Sequence, residues 1–386
     1  MKRIIILCDG TWNHSDSRTP TNVVRLGQAI ARVDPQGVVQ VPFYVQGVGT
    51  GRGVSRVSRS ADTILGGALG WGLLANIEAA YRHLVFAYDP GDEIYIFGFS
   101  RGAYTARSLT GFIRSTGIVP RRNLHEIPAA MRRYRQMDRA DTHPSSERSH
   151  ARRAYWSPEI ATSRAEVAWR QTQNMPAPHL LEVDYLGVWD SVGALGVPSH
   201  IPLIGRLAAQ RYRFHDADLS SMVKSARHAV ALDERRKSFR PTRWGNVGEL
   251  NARSTAPAGR PYREEFFAGD HGSIGGGGEI TSLSNIGLRW IAEGAMQAGL
   301  FLDPDIMAGY AEDEDLDGPL RNTTQPGGWT DRLTRIGALD REGPGAMAAV
   351  HQSALARWGR GTPPYRPGSM NRIASEITRG TPEPEE

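Results

Sequence analysis

Apolar residues alternate along this chain between two rhythms. Compact stretches of strand length recur at residues 4–8, 38–45, 94–97, 182–189 and 262–269. Several are nearly unbroken, as expected of parallel strands buried on both faces. Between them the spacing changes to a helical stripe. Thr21 and Asn22 cap one such stretch, through Val23, Leu26, Ile30 and Val33. Residues 62–87 carry Leu65, Leu69, Leu73, Ile77, Ala80, Tyr81 and Leu84 on one face. Further helices are predicted after Gly102, over 220–232 including His228, and over 283–299. Strand and helix taking turns predict an α/β fold, a mostly parallel sheet flanked by helices.

Residues 120–178 interrupt that alternation. They are polar and rich in arginine, with helix-like patches around 127–137 and 165–173. An insertion of this length between two core strands reads as a helical, basic cap over the site. The predicted organisation is a core of 1–119 and 179–300, a cap of 120–178, and a C-terminal extension of 301–386. The last residues, Thr381-Pro382-Glu383-Pro384-Glu385-Glu386, read as a disordered tail.

Composition refines this picture at two points. The formal net charge is +5, and residues 121–170 hold eleven Arg against six Asp or Glu, an excess equal to that of the whole chain. Such a segment can meet anionic lipid headgroups, an acidic partner or nucleic acid, or can be a solvated face. Nucleic acid is not the expected partner. Cys8 is the only cysteine, so no intrachain disulfide forms, as suits a reducing compartment. No stretch reaches the length of a membrane span, and the apolar run at the N-terminus is too short for a signal-peptide core. The expected protein is soluble and cytoplasmic, with export by a route lacking a cleaved signal left open.

The chemistry centres on Gly98-Phe99-Ser100-Arg101-Gly102. This G-x-S-x-G lies between a predicted strand and a predicted helix, where a nucleophile elbow places its serine. The small residues at Gly98 and Gly102 let strand and helix approach. A serine hydroxyl needs a base, and the base needs a carboxylate to orient it. In α/β-hydrolases the order is Ser, then Asp or Glu, then His, each after a core strand. Ser100, Asp190 and His271 meet both conditions. His271 is expected on a mobile, uncrowded loop because of the glycines at 272 and 275–278. His228 and His351 are the alternatives to it. Asp184, Asp233 and Asp270 are less well placed than Asp190.

An oxyanion hole needs two backbone donors. Arg101 N–H supplies one by position. Thr11 N–H, in the loop Asp9-Gly10-Thr11-Trp12-Asn13, is the leading candidate for the second, with Trp12 next. Asp9 is expected to brace that loop by accepting from backbone N–H groups. The glycine-rich run at 46–53 lacks the Gly-Lys-Ser/Thr ending of a phosphate loop and reads as packed near the site. The acidic run at 312–317 lacks the spacing of a calcium loop. No metal and no cofactor are expected.

At these residues the chain resembles the DUF2235 family of α/β-hydrolases, which includes Tle1-type phospholipase effectors of type VI secretion. The resemblance rests on Cys8-Asp9-Gly10-Thr11-Trp12-Asn13, on Gly47-Val48-Gly49-Thr50, and on Gly91-Asp92-Glu93-Ile94 running into Gly98-Phe99-Ser100-Arg101-Gly102-Ala103. It continues at Gly187-Val188-Trp189-Asp190-Ser191-Val192-Gly193, at His228-Ala229 through Asp233-Glu234-Arg235, and at Phe267 through Gly277. It covers most of 1–300. It implies an esterase or lipase with Ser100 as nucleophile, Asp190 as orienter and His271 as base. A lipid or other ester is the implied substrate, with an anionic membrane surface met by the basic insertion, and an immunity or secretion partner. Where the family more often has Ser-Asp-Val-Gly-Gly-Gly, this chain reads Gly272-Ser273-Ile274-Gly275-Gly276-Gly277. A soluble small-molecule esterase, or an inactive binding protein on a hydrolase fold, are the rival readings.

Overall fold

The computed structural model describes residues 1–49, 66–136, 141–193, 218–255, 260–324 and 338–380. At its centre six strands form one parallel sheet: β1 (Lys2–Cys8), β2 (Val39–Val45), β3 (Glu93–Phe99), β4 (Val183–Trp189), β5 (Val223–Ala231) and β6 (Tyr262–Phe267). Their order is β2-β1-β3-β4-β5-β6, and every neighbouring pair runs parallel.

Side chains alternate across a strand, so an unbroken apolar run fills two cores at once. On β1, Ile4, Ile6 and Cys8 face one cluster and Ile5 and Leu7 the other. The first cluster takes in helices α2 (Gly66–Ala87) and α3 (Arg101–Thr116). The second takes in α1 (Asn22–Ala29) and the helix at Ser282–Gln297. Thr21 caps α1 as its residue type predicts, its hydroxyl accepting from Val24 N–H. The sheet is thus sandwiched between helices, the architecture of an α/β-hydrolase.

The segment at 220–232 differs from its helical expectation. Residues 223–231 are β5, buried between β4 and β6. Its alanines favour a helix in isolation, but pairing on both edges decides the outcome. Residues 50–65, which hold the rest of the glycine-rich run and the start of the helix predicted over 62–87, and the tail from 381, lie outside the described residues.

The insertion contains α4 (Ile127–Tyr134), α5 (Glu147–Trp156) and α6 (Arg164–Thr172). Two of its arginines are internal: Arg153 Nε and Arg170 Nη2 lie 2.7 and 2.5 Å from the carboxylate oxygens of buried Glu166. It docks on the far half of α3. Tyr134 Oη donates to Ser108 O (2.9 Å), Ser157 Oγ to Thr116 O (2.9 Å) and Thr162 Oγ1 to Arg114 O (3.0 Å). Ser108 is roughly 12 Å along the helix from its start.

The C-terminal segment packs as a third layer on the sheet edge. Val350 bridges Phe266 of β6, and Val350, Ala354, Met370 and Ile373 cluster with Val230 and Phe266. Among the described residues no helix is long and apolar enough to cross a membrane.

Candidate active site

The strand order places the site. The chain steps from β1 to β2 on one side, then crosses back over β1 to β3 and continues on the other side. Loops leaving the carboxyl ends of β1 and β3 therefore diverge and leave a crevice. Ser100 follows β3 there, and Gly10 follows β1. A Cβ on Gly10 would lie 3.2 Å from that of Ser100, so the two loops touch.

Ser100 has φ 58°, ψ −123°, strained for a residue with a side chain. A strand that must turn directly into a helix leaves no gentler path. The flanking positions accept no side chain. A Cβ on Gly98 would come 2.5 Å from Gly102 O, and one on Gly102 would collide with the Cys8 carbonyl. The Ser100 N–H donates to Trp189 O at 3.0 Å, tying the turn to β4.

Asp190 follows β4 with φ 37°, and His271 follows β6. The structure brings them to Ser100. His271 Nε2 is 2.8 Å from Ser100 Oγ, and His271 Nδ1 is 2.5 Å from Asp190 Oδ2. An ionised carboxylate can only accept, so Nδ1 carries the proton and Nε2 is free to accept from the serine hydroxyl. His271 differs from the expected uncrowded loop residue. It opens the short helix His271–Gly275, is buried, and is flanked by the Phe99 and Phe239 rings, each with its centroid 4.7 Å away. The glycines serve close packing: a Cβ on Gly275 would enter the Phe99 ring. Asp270 caps that helix by accepting from Ser273 N–H at 3.0 Å.

Asp190 is fully buried and also bound by a residue that no sequence pattern singles out. Arg341 Nη1 and Nη2 reach its two oxygens at 2.6 and 2.8 Å, and Ala231 N–H donates to Oδ1 at 3.0 Å. Burial alone would push the Asp190 carboxyl up. The Arg341 guanidinium and the His271 hydrogen bond outweigh it and hold the carboxyl well below its usual range.

Of the candidate oxyanion donors, neither Thr11 N–H nor Arg101 N–H has a hydrogen-bond acceptor among the described residues. Trp12 N–H is occupied, donating to Val48 O at 3.1 Å. The Trp12 ring is exposed and lies 5.8 Å from the Arg101 guanidinium, which burial lowers to about 10. The loop itself is closely braced. Asp9 accepts from Gly10 N–H (2.7 Å), Thr21 Oγ1 (2.8 Å) and Tyr44 Oη (2.8 Å). Burial still raises its carboxyl above the ordinary value, because those donors are neutral. A Cβ on Gly47 would strike Gly10 O, so the described part of the glycine-rich loop packs on this one.

The two alternative histidines, His228 and His351, have other partners. His228, on β5, accepts from Ser191 N–H through Nε2 (3.1 Å), and its Nδ1 lies 2.9 Å from Glu264. Arg243 holds Glu264 in turn at 2.8 Å. Burial raises the Glu264 carboxyl, but His228 and Arg243 bring it down to about 2. This chain of contacts steadies the residue after Asp190. His351 stacks on Phe267, and burial lowers it to about 4. In the acidic run, Glu314 pairs with Arg289 and Asp317 with Arg360. Among the described residues no three His, Cys, Asp or Glu side chains are grouped to hold a metal.

Comparison with known proteins gives relatives at several distances. Saccharomyces cerevisiae YEL023C, an uncharacterized protein, is 28% identical over 246 residues, covering 62% of this chain. The chain spans only 32% of that protein's length. A crystal structure of an uncharacterized Pseudomonas aeruginosa protein shares 20% identity over 83% of this chain and 51% of its own, with TM-score 0.41. The Tle1 effector bound to the VgrG spike of the Type 6 secretion system shares 12% identity over 89% of this chain and 85% of its own, with TM-score 0.45. Residues 2–294 match the family described as the catalytic domain of the T6SS phospholipase effector Tle1-like proteins, and the chain belongs to this hydrolase family.

Proposed function

We propose that the protein is a serine hydrolase of carboxylic esters, acting on a lipid or phospholipid through an acyl-enzyme. The carrying observation is the run of contacts from Ser100 Oγ through His271 to Asp190. In this reading Ser100 Oγ attacks the acyl carbonyl carbon while its proton passes to His271 Nε2. Thr11 and Arg101 N–H groups stabilise the oxyanion, an arrangement supported by neither having another acceptor among the described residues. The α3 N-terminus adds its dipole. The tetrahedral adduct collapses as His271 returns the proton to the leaving alcohol. Water, activated by the same imidazole, then releases the acid and restores Ser100. Asp9, Gly10, Trp12, Gly98 and Gly102 hold the two loops in register.

Support for a lipid substrate comes from the family description, which names a phospholipase effector, and from the arginine-rich insertion. Release through a secretion apparatus is part of the same proposal. The test is hydrolysis by wild type and Ser100→Ala of phospholipid liposomes and of short soluble esters. Fatty-acid release from liposomes that falls by about 10⁴-fold or more in Ser100→Ala is the expected result. Turnover retained by Ser100→Ala defeats the mechanism. Turnover of short soluble esters with none of liposomes defeats the lipid assignment alone.

A further inference from the structure

Asp190 is bound in the core, yet the guanidinium that pairs with it among the described residues arrives from beyond the matched stretch of 2–294. Arg341 is itself buried, and both of its terminal nitrogens are engaged. Besides both Asp190 oxygens, Nη1 donates to Ala231 O (3.1 Å) and Nη2 to Phe239 O. The loop carrying it is clasped from both sides. Leu339 N–H donates to Arg235 O at 3.1 Å, and Asp340 pairs with Arg235 at 3.0 Å. Gly343 lies against the Ser369 backbone, and Ser369 Oγ donates to Leu232 O at 2.9 Å.

We propose that Arg341 is a positioning residue of the hydrolase site, and that the C-terminal segment completes that site by delivering it. This rests on the reading of Ser100, His271 and Asp190 as the reacting machinery. A buried carboxylate facing one imidazole can rotate, and it can take a proton. A bidentate guanidinium removes both freedoms: it fixes the carboxylate plane and keeps it ionised. The acceptor sites of Asp190 are then divided between Arg341, Ala231 N–H and His271, with one orientation that satisfies all three.

The guanidinium also acts on the base. Its positive charge partly offsets that of Asp190, the carboxylate that the imidazole faces. Other charged and polar groups surround this pair. His271 N–H faces Glu234 at 3.4 Å, Glu234 is forked by Arg236, Asp270 caps the helix of His271, and Asp233 accepts from Gly269 N–H and Tyr365. Beyond Ser191 stand the His228–Glu264–Arg243 chain and Arg107, which donates to Ser191 Oγ. Arg341 is the cation in direct contact with Asp190.

The test uses the full chain with Arg341→Met, Arg341→Lys and Arg341→Gly, each checked by thermal unfolding. For Arg341→Met, kcat/KM falls about 10²-fold with little change in KM, as expected of a misplaced base. Arg341→Lys keeps the charge without the fork and loses less. Guanidinium in the buffer restores part of the Arg341→Gly rate and none of the Ser100→Ala rate. Should Arg341→Met fail to fold, the Lys variant and guanidinium rescue decide. Folded variants with wild-type kcat/KM overturn the proposal, as does a Gly variant that guanidinium cannot rescue. A wild type without Ser100-dependent ester hydrolysis instead refutes the underlying reading.

Discussion

Two carboxylates, Asp9 and Asp190, stand at the carboxyl edge of the same sheet, one after β1 and one after β4. Both are buried, and both accept three or more hydrogen bonds. They differ in the charge of their partners. Asp9 is held by two hydroxyls and an amide, and burial leaves its carboxyl above the ordinary value. Asp190 is held by a guanidinium fork and an imidazole, and its carboxyl lies far below. Neutral donors satisfy geometry, whereas a buried charge stays ionised only beside an opposite charge. Asp9 is accordingly suited to tie loops together, and Asp190 to support a charge that appears on His271 during a reaction.

The largest test of that contrast is Asp190→Asn. Loss of the acceptor at Oδ2 turns the imidazole toward the wrong tautomer, and kcat should fall roughly 10⁴-fold. The same change strands Arg341 without its anion. Unfolding by denaturant should then show a loss of about 3–5 kcal/mol, the range for breaking a buried pair. Asp9→Asn keeps an acceptor for the hydroxyls and introduces no unpaired cation. Stability should drop by about 1–3 kcal/mol, and kcat by less than roughly tenfold. An Asp9→Asn enzyme as damaged as Asp190→Asn would abolish the distinction.

Acid unfolding offers a finer separation, because the two linkages have opposite signs. Asp190 has a folded pKa depressed below its unfolded value near ~4, so it contributes stability above that pH. That contribution is lost as pH falls through the window below about 4. Asp9 has a raised folded pKa, so the folded state takes up its proton first, and stability rises as pH falls toward and through its unfolded value. Stability measured between roughly pH 3 and 6 should decline less steeply in Asp190→Asn than in wild type, and more steeply in Asp9→Asn. Equal slopes in all three would show that neither carboxyl titrates as its partners imply.

The smallest expected effect concerns the steadying chain behind Asp190. Glu264→Gln keeps a hydrogen bond to His228 but removes the charge that holds Arg243. A reduction of kcat of about tenfold or less should accompany a modest loss of stability, within about 0.5–3 kcal/mol. A rate as low as that of Asp190→Asn would mean that Ser191 and its neighbours position the carboxylate more than Arg341 does.

Residues 98–102 show how much was legible beforehand. Gly98 and Gly102 announce a strand packed against a helix, and backbone at both positions leaves no room for a Cβ. The order Ser100, Asp190, His271, each beyond an apolar run, locates three loops that the parallel sheet then gathers at one edge. Residues 223–231 were misleading because Ala226, Ala229 and Ala231 suit either rhythm, and only sheet neighbours on both sides distinguish them. The setting of His271 was likewise hidden. Its glycines signal freedom in isolation, while in the fold they admit Phe99.

By itself, then, the sequence determined the alternation of strand and helix, the strained turn at Ser100 and the chain order of the groups around it. Those features are local: they depend on residue type, period and the backbone freedom of two glycines. Tertiary structure alone decided that Arg341 meets Asp190, that His228 supports Ser191, and that the arginine-rich insertion docks on the far half of α3 with Arg153 and Arg170 turned inward on Glu166. The first two are pairings of charged or polar groups far apart in the chain. Such pairings leave no periodic trace, because the partner's identity is set by where the folded backbone delivers it.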